Sequence, residues 1–436
     1  MFLYNLRLAL LSLKRDPVLT LLMVGAVAVG IGMSTTTLAV YHSMSGNPIP
    51  QKSGQLFAVQ LDNWSPSQPY NDPDDPPTQV TYRDAQNLMH AGKAKHQNAS
   101  FTSAMVLQTD KPDVKPDLIV ARATFDDFFP MFDVPFEYGG PWNKDADQNA
   151  EQVVVLDHEY NQKLFGGANS VGKEIILNNR RFRVVGVLKP WAPSPKYYDL
   201  ENDQFGDPED MFIPFNLVSG MQLHSNGNNS CWGPPADNSF QGYLNSECVW
   251  IQFWAELPTK AEQDDYHQFL DNYVQDQKKL GRFPRPLNNR LNDVTDWLAY
   301  NHVVSKDSEA LVGLSFMFLA VCMLNTIGLI LAKFLRRSGE IGLRRAVGAS
   351  KAALFRQYLV ETGVIGISGG LLGILLGWAG LIGVRHLINS SDHYTHLDWT
   401  MVGVSLLLAL LSSMLAGIYP AWRVVRIPPA IYLKVQ

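Results

Sequence analysis

Four long apolar blocks constrain this chain more than any other feature, because each is long enough to cross a lipid bilayer. About 20 apolar residues in an α-helix span the hydrocarbon core. We therefore predict four transmembrane helices, placed at residues 17–44, 309–335, 359–384 and 399–422. A cleaved signal peptide is the alternative for the first block. Its apolar run is too long for that, and the following "MSGNPIP" lacks a small-x-small cleavage pattern.

Lysine and arginine fall on one side of these spans. Six lie between the second and third blocks and others flank the first and fourth, whereas loop 385–398 carries only Arg385. The positive-inside rule then predicts a multi-pass membrane protein with both termini, loop 336–358 and tail 423–436 in the cytoplasm. The fold class is four transmembrane α-helices with a large α+β extracytoplasmic domain, residues 45–308, inserted between the first and second. The net charge of −5, without a basic block, argues against nucleic acid as a partner.

Residues 1–16 place Phe2, Leu3, Leu6, Leu10 and Leu13 at helical spacing with basic residues beside them. This pattern predicts an amphipathic helix in contact with membrane lipids, lying on the inner face before the chain turns inward. A simple continuation of the first span is the alternative.

The region between the first and second blocks mixes two helix-like runs with seven strand-like runs. The runs "TYRDAQNLMHAG" and "KAEQDDYHQFLDNYVQDQKKL" are helical in pattern, whereas "DLIVARAT" and "RFRVVGVL" are typical of strands. We predict an α+β domain in two lobes with an insert at about 205–250. That insert contains Cys231 and Cys248, and a cysteine pair in an oxidising compartment predicts a disulfide.

No catalytic group of residues stands out, and three weaker patterns that resemble binding sites have structural explanations. "GGANSVGK" (166–173) resembles a phosphate-binding loop, but Glu174 stands where Ser or Thr would ligate magnesium, so we predict a turn into a β-hairpin. The acids in "NWSPSQPYNDPDDPP" are interrupted by prolines, which spoils the spacing of a calcium loop. His393 and His396, near Asp392 and Asp398, more often cap helix ends than bind a metal. We therefore expect no cofactor and no metal in this chain.

The most informative stretch is "KFLRRSGEIGLRRAVGASKAALFRQYLVE", residues 333–361. We predict a short helix with its apolar residues largely on one side, stopped by a glycine, and a second helix capped by a serine. An ordinary juxtamembrane helix with basic anchors is the alternative. The residues assigned to this element are Glu340, Ile341, Leu343, Arg344, Arg345, Val347, Gly348, Ala349 and Ser350.

Here the sequence resembles the MacB/FtsX-type (type VII) ABC transporter permeases. "GEIGLRRAVGASKAALFRQYLVE" is similar to the cytoplasmic signature of that family, and "GIYPAWRVVRIPPAIYLK" to its closing Tyr-Pro-Ala motif, although "RIPPA" departs from the usual Asp-Pro. "EQVVVLDHEYNQKLFGGANSVGKEIILNNRRFRVVGVL" resembles part of its periplasmic domain. The resemblance covers most of the chain.

The resemblance implies a non-catalytic permease subunit without a fused ATPase domain, located in the bacterial inner membrane. ATP and Mg would bind to a separate cytoplasmic ABC ATPase, present in two copies, and the permease would pair with itself or with a sister chain. The short helix would dock on the ATPase, with Arg344 and Arg345 facing acids there. Mechanotransmission would then move the periplasmic domain and drive efflux of a peptide, antibiotic or lipid-linked substrate towards an adaptor and an outer-membrane duct. Regulation of a cell-wall hydrolase and lipoprotein extraction are the alternatives.

Overall fold

The computed structural model describes residues 2–108, 115–388 and 399–426, and the chain divides into two units. Unit 1 combines Met1–Ser45 with Val304–Gln436, and unit 2 is Gly46–Val303. The predicted short loop with His393 and His396, and most of the predicted tail 423–436, lie outside the described residues.

The described part of unit 1 is built from helices, and four of these are long and apolar enough to cross a membrane. The predicted fold class, with a large domain between the first and second of them, is confirmed. The third candidate span begins earlier than predicted, because the helix capped by Ser350 continues into it without a break. The helices of unit 1 are α1 (Phe2–Arg15), α2 (Pro17–Ser45), α12 (Lys306–Arg336), α13 (Ser338–Ala346), α14 (Lys351–Ile388) and α15 (Trp399–Val425).

Glycines on α14 allow two neighbouring helices to approach closely. A Cβ added at Gly373 would lie 2.9 Å from the Ile31 Cβ on α2, and one at Gly370 would lie 2.7 Å from the Ala409 Cβ on α15. Both separations are below ordinary carbon–carbon contact. Small residues at an interface between membrane helices allow this close packing.

Unit 2 is built around one mixed sheet of eleven strands. The order along the sheet is β11-β1-β10-β3-β4-β9-β6-β8-β5, with β2 against β10 and β7 against both β3 and β8. β4 and β9 are parallel, as are β6 and β8. The strands are β1 (Leu56–Gln60), β2 (Val80–Thr81), β3 (His96–Gln108), β4 (Asp117–Thr124), β5 (Phe136–Gly139), β6 (Val153–Leu156), β7 (Glu174–Leu177), β8 (Arg180–Leu188), β9 (Met211–Pro214), β10 (Val249–Glu256) and β11 (Arg290–Asp293).

Helices of unit 2 are mostly short, and the longest, α10, buries Tyr266 and Leu270 on one face as its sequence pattern predicts. A single 3₁₀ turn covers Tyr197–Asp199. The α-helices are α3 (Tyr82–Ala91), α4 (Phe128–Met131), α5 (Lys144–Gln148), α6 (His158–Phe165), α7 (Leu200–Asp203), α8 (Leu217–Met221), α9 (Phe240–Leu244), α10 (Lys260–Lys279) and α11 (Val294–Tyr300).

Apolar cores lie on both faces of the sheet. In β1, Phe57 and Val59 belong to one core, which also includes side chains of α3 and α10, whereas Leu56 and Ala58 belong to the other. This division follows from the alternation of side chains along a strand. It also explains why β1, β6, β9 and β10 are buried at every position, since both faces of these strands are covered.

A buried charge cluster adds to the packing of unit 2. The Arg122 guanidinium on β4 pairs with Asp199 and with Glu209, whose Oε1 lies 2.6 Å from Nη2. Burial alone would raise the pKa of Glu209, but Arg122 and Lys196 lower it to about 2. The carboxylate therefore stays charged, and the cluster ties the segment around α7 to β4.

Two sequence expectations for unit 2 need correction. The predicted insert at 205–250 includes β9 and the beginning of β10, which are buried strands of the sheet, so the strand-free parts of this range are 205–210 and the segment between the two strands. The longest strand, β3, was not predicted, because "HQNASFTSAMVLQ" begins with small and polar residues. Those residues are buried between β10 and β4, where cross-strand contacts outweigh intrinsic preference.

Candidate coupling site

The short helix α13 lies between α12 and α14 and ends in a glycine turn. Gly348 has φ +107°, a conformation that residues with a Cβ rarely adopt, and the Ala349 N–H donates to the Arg344 carbonyl at 3.0 Å. The Ser350 Oγ then accepts from the Ala353 N–H at 3.2 Å and caps α14. The turn therefore fixes where α13 ends and α14 begins.

The apolar residues of α13 do not share one face, and this part of the prediction is wrong. Ile341 is 4% exposed and packs in a core with Phe334 and Tyr358, whereas Leu343 is 57% and Val347 82% exposed. At 3.6 residues per turn, positions two apart lie on nearly opposite sides, while positions four apart lie together. Ile341 therefore anchors the helix, and Leu343 and Val347 form a separate exposed pair.

The two arginines predicted to meet acids of another protein already have partners within unit 1. Arg344 donates to Glu340 at 2.7 Å and to the Gln357 Oε1 at 3.3 Å. Arg345 donates to the Val425 carbonyl at the end of α15 at 3.2 Å. Both side chains are half-buried, so they orient α13 within the bundle.

Beneath α13, a polar cluster joins α1, α12 and α14. The Lys333 Nζ lies 2.6 Å from the Glu361 Oε1, and both side chains are almost completely buried. The Ser12 hydroxyl of α1 donates to the same carboxylate oxygen at 2.6 Å. Buried charges are costly unless they are paired and hydrogen-bonded, and here both conditions are met.

A second group of charges lies beside this cluster, at the junction of α1 and α2. Arg337 donates to the Ser12 Oγ, to the Ser12 carbonyl at 3.0 Å and to Asp16, and Arg336 donates to Asp16 at 2.8 Å. Burial alone would raise the pKa of Asp16, but the hydrogen bond and charge of Arg337, with the charge of Arg336, lower it below its usual value. The Asp16 carboxylate therefore remains charged and holds the end of α12 to the start of α2.

These groups line a pocket of about 130 Å³ between α1, α13 and α14. Its polar residues are Ser12, Arg15, Arg337, Glu340 and Glu361, together with Arg344 and Gln357. Sequence reasoning missed Ser12, Asp16, Lys333 and Arg337. One signal was present, because Lys333 and Glu361 are opposite charges inside apolar blocks, and such residues usually pair.

The stretch that resembles a phosphate-binding loop is a structural turn. Gly166 and Gly167 end α6 with positive φ, and β7 and β8 form the predicted antiparallel hairpin around Asn178 and Asn179. Glu174 pairs with Arg181 at 3.0 Å across this hairpin. Lys173 lies over the Phe165 ring, so this lysine contacts an aromatic side chain of the same turn.

Cys231 and Cys248 are joined by a disulfide that links the segment before α9 to the start of β10. Cys322 is a buried free thiol on α12. Within the described ranges, which omit 109–114 and 389–398, no cluster of His, Cys, Asp and Glu is arranged to hold a metal ion.

Comparison with known proteins gives matches along nearly the whole chain. A model described as MacB-like periplasmic core domain matches residues 20–254, and one described as FtsX-like permease C-terminal matches residues 312–429. The macrolide export ATP-binding/permease protein MacB of Shewanella sp. (strain W3-18-1) is 22% identical over 410 residues, which cover 93% of this chain and 55% of that protein. The MacB protein of Vibrio parahaemolyticus serotype O3:K6 is 21% identical, covering 98% of this chain and 59% of that protein.

The chain thus spans little more than half the length of these two relatives. Among solved structures, the periplasmic region of MacB from Actinobacillus actinomycetemcomitans aligns with a TM-score of 0.37 and 14% identity, covering 56% of this chain and 92% of that chain.

Proposed function

This chain belongs to the MacB/FtsX-like family of ABC transporter permeases, and from that premise we propose that it couples ATP hydrolysis by a separate ATPase subunit to movement of unit 2 outside the membrane. The chain itself would be non-catalytic. ATP and Mg would bind to the partner, present in two copies, and the permease would work as a homodimer or heterodimer.

The exposed pair Leu343 and Val347 is the observation that carries the proposal. Leu343 lies on α13 and Val347 directly follows it, between two candidate membrane spans, and Ile341 anchors the opposite side of this helix. Exposed aliphatic side chains on a well-anchored helix are suited to contact another protein. The surrounding arginines favour a cytoplasmic position for this helix by the positive-inside rule. The cytoplasm is also the compartment in which a partner ATPase would bind ATP.

Transport is the form of the activity that we propose for unit 2. Movement of this unit would drive efflux of a peptide, antibiotic or lipid-linked substrate, with a periplasmic adaptor and an outer-membrane duct as further partners. The relatives named above are export proteins by their names, which supports this choice over regulation of a cell-wall hydrolase or lipoprotein extraction.

The test places a photo-crosslinking amino acid at Val347 in the full chain in its native membrane. A P-loop ATPase should be captured from this position. The matched control is Leu280, which is 75% exposed in unit 2 and should capture no ATPase. A cysteine at Leu280 should react with a membrane-impermeant maleimide from outside the inner membrane.

A double variant, Leu343→Asp with Val347→Asp, tests the surface itself. Both side chains are exposed, so the fold should persist, whereas binding of the captured ATPase should fall at least tenfold. Equal ATPase binding by the double variant and the unaltered chain would rule out this surface, and labelling of Leu280→Cys only from the cytoplasm would rule out the orientation.

A further inference from the structure

The Ser12 hydroxyl connects the two charged groups beneath α13. It donates to the Glu361 Oε1 at 2.6 Å and accepts from Arg337. A serine hydroxyl has one donor and two acceptor positions, so both bonds form at once. Glu361 forms an ion pair with Lys333 on α12, and Arg337 forms an ion pair with Asp16 before α2. Among the α1 side chains that the structure describes, Ser12 is therefore the one that contacts both charged groups.

Arg337 is the second element of this connection. It is the single residue between α12 and α13, directly after Arg336 and directly before Ser338. Its guanidinium reaches across to the Ser12 carbonyl, the Ser12 hydroxyl and Asp16. A tilt of α13 therefore displaces the backbone of Arg337 and, through its side chain, the junction between α1 and α2.

The buried pair Lys333–Glu361 is poorly explained by stability alone. Pairing in a low-dielectric environment roughly offsets the cost of removing two charges from water, and apolar replacements of similar volume are often as stable. Ionisable residues inside membrane spans more often serve function. A pair that also accepts a hydrogen bond from a third helix can hold that helix in one specific position.

We propose that Ser12 is a positioning residue that makes α1 the relay between α13 and the three candidate spans α2, α12 and α14. Movement of α13 passes through Arg337 to Ser12 and Asp16, and from Ser12 through Glu361 to α12 and α14. The inference rests on the proposed function, because it assumes that an ATPase moves α13. The inference also assigns a role to α1, and the proposed function does not require this role.

The experiment uses the full permease in nanodiscs with the ATPase captured from Val347. Spin labels replace Lys14 on α1 and Lys351 at the start of α14, both of which are exposed. The distance between the labels is measured without nucleotide and with a non-hydrolysable ATP analogue. The unaltered permease should show a nucleotide-dependent change in this distance and should stimulate the ATPase.

Three variants then separate the relay from a structural role. Ser12→Ala removes both side-chain bonds and should abolish the distance change and lower the stimulation roughly tenfold, the size expected for hydrogen bonds to charged groups. Ser12→Thr keeps the hydroxyl and should restore both. Thr37→Ala is the matched control, because the Thr37 hydroxyl bonds only the Met33 carbonyl one turn earlier in its own helix, and it should behave as the unaltered chain.

The outcomes distinguish the two proposals. If the unaltered permease shows neither stimulation nor a distance change, the proposed function fails and the relay fails with it. If the unaltered chain responds and Ser12→Ala responds equally, only the relay is overturned. If Ser12→Ala loses its response and Ser12→Thr does not regain it, the hydroxyl is not the connecting group and the relay through Ser12 is again overturned.

Discussion

The Lys333 ammonium and the Glu361 carboxylate are 2.6 Å apart, with side chains that are 1% and 2% exposed. They come from α12 and α14, two candidate membrane spans that the sequence separates by the whole of α13. The pair is therefore a direct connection between these two helices.

Removing one partner of this pair should be far more damaging than removing both. Lys333→Met leaves an unpaired buried carboxylate and should lower the free energy of unfolding by about 3–5 kcal/mol. The double variant Lys333→Met with Glu361→Leu should recover most of that loss, because no charge remains buried. Unfolding in mixed micelles of a mild detergent and SDS measures both. Equal losses in the single and double variants would contradict this account.

The glycine that ends α13 should be replaceable only at a conformational cost. A Cβ at Gly348 would meet no atom within 4 Å, so Gly348→Ala should cost about 1–3 kcal/mol through its φ of +107° alone. Gly313 on α12 is the control, because its Cβ position is equally open and its φ is not positive. Gly313→Ala should leave stability unchanged or raise it by up to about 1 kcal/mol. The same unfolding assay decides between these expectations.

The carboxyl pair Asp126 and Asp147 should make unit 2 less stable as the pH rises. Burial and the neighbouring Asp126 carboxyl raise the pKa of Asp147 to about 8, against the hydrogen bonds from the Asp126 N–H and the Trp142 Nε1–H. The folded state thus holds a proton that the unfolded state releases near pH 4. The free energy of unfolding should therefore fall between about pH 4 and 8, by at most about 1.4 kcal/mol per pH unit.

Asp126→Asn tests the origin of that slope. It removes the acidic neighbour, lowers the pKa of Asp147 and should flatten the decline in the melting temperature of unit 2 from pH 5 to pH 8. Asp145 is an exposed acid on α5, the helix that also carries Asp147. The variant Asp145→Asn should keep the decline of melting temperature with pH that the unaltered chain shows. An unchanged slope in Asp126→Asn would show that the neighbouring carboxyl is not responsible.

The disulfide between Cys231 and Cys248 should stabilise the segment that lacks strands. It closes a loop with a sequence separation of 17, and constraining the unfolded chain over such a loop contributes about 3 kcal/mol. A reducing agent should therefore lower the melting temperature of unit 2 in the unaltered chain. The variant Cys231→Ser with Cys248→Ala should melt at a lower temperature and show no response to the reducing agent. A response in that variant would point to another cause.

Elements with a strong pattern could be predicted from the sequence. The four spans follow from the apolar blocks, and the hairpin β7–β8 follows from β-branched runs around Asn178 and Asn179. The turn at Gly348 and the cap at Ser350 follow from local residue chemistry. In each case, the information lies within a few neighbouring positions.

The candidate site was only partly predictable, because its geometry depends on helices far apart in the sequence. Ile341 and Leu343 are two positions apart, which on a helix places their side chains on nearly opposite sides, so the sequence could have shown that they do not share a face. The opposite charges of Lys333 and Glu361 could have suggested that these residues pair. Nothing in the residues around Ser12, the one serine in the α1 sequence, marks it as a connecting residue. Its role appears only when α1, α12 and α14 are brought together.

The position of Arg337 has a mechanical consequence. A single residue separates α12 from α13, so no loop lies between these two helices. In the proposed mechanism, a force on α13 therefore acts directly on the end of α12, with no flexible loop between the two helices.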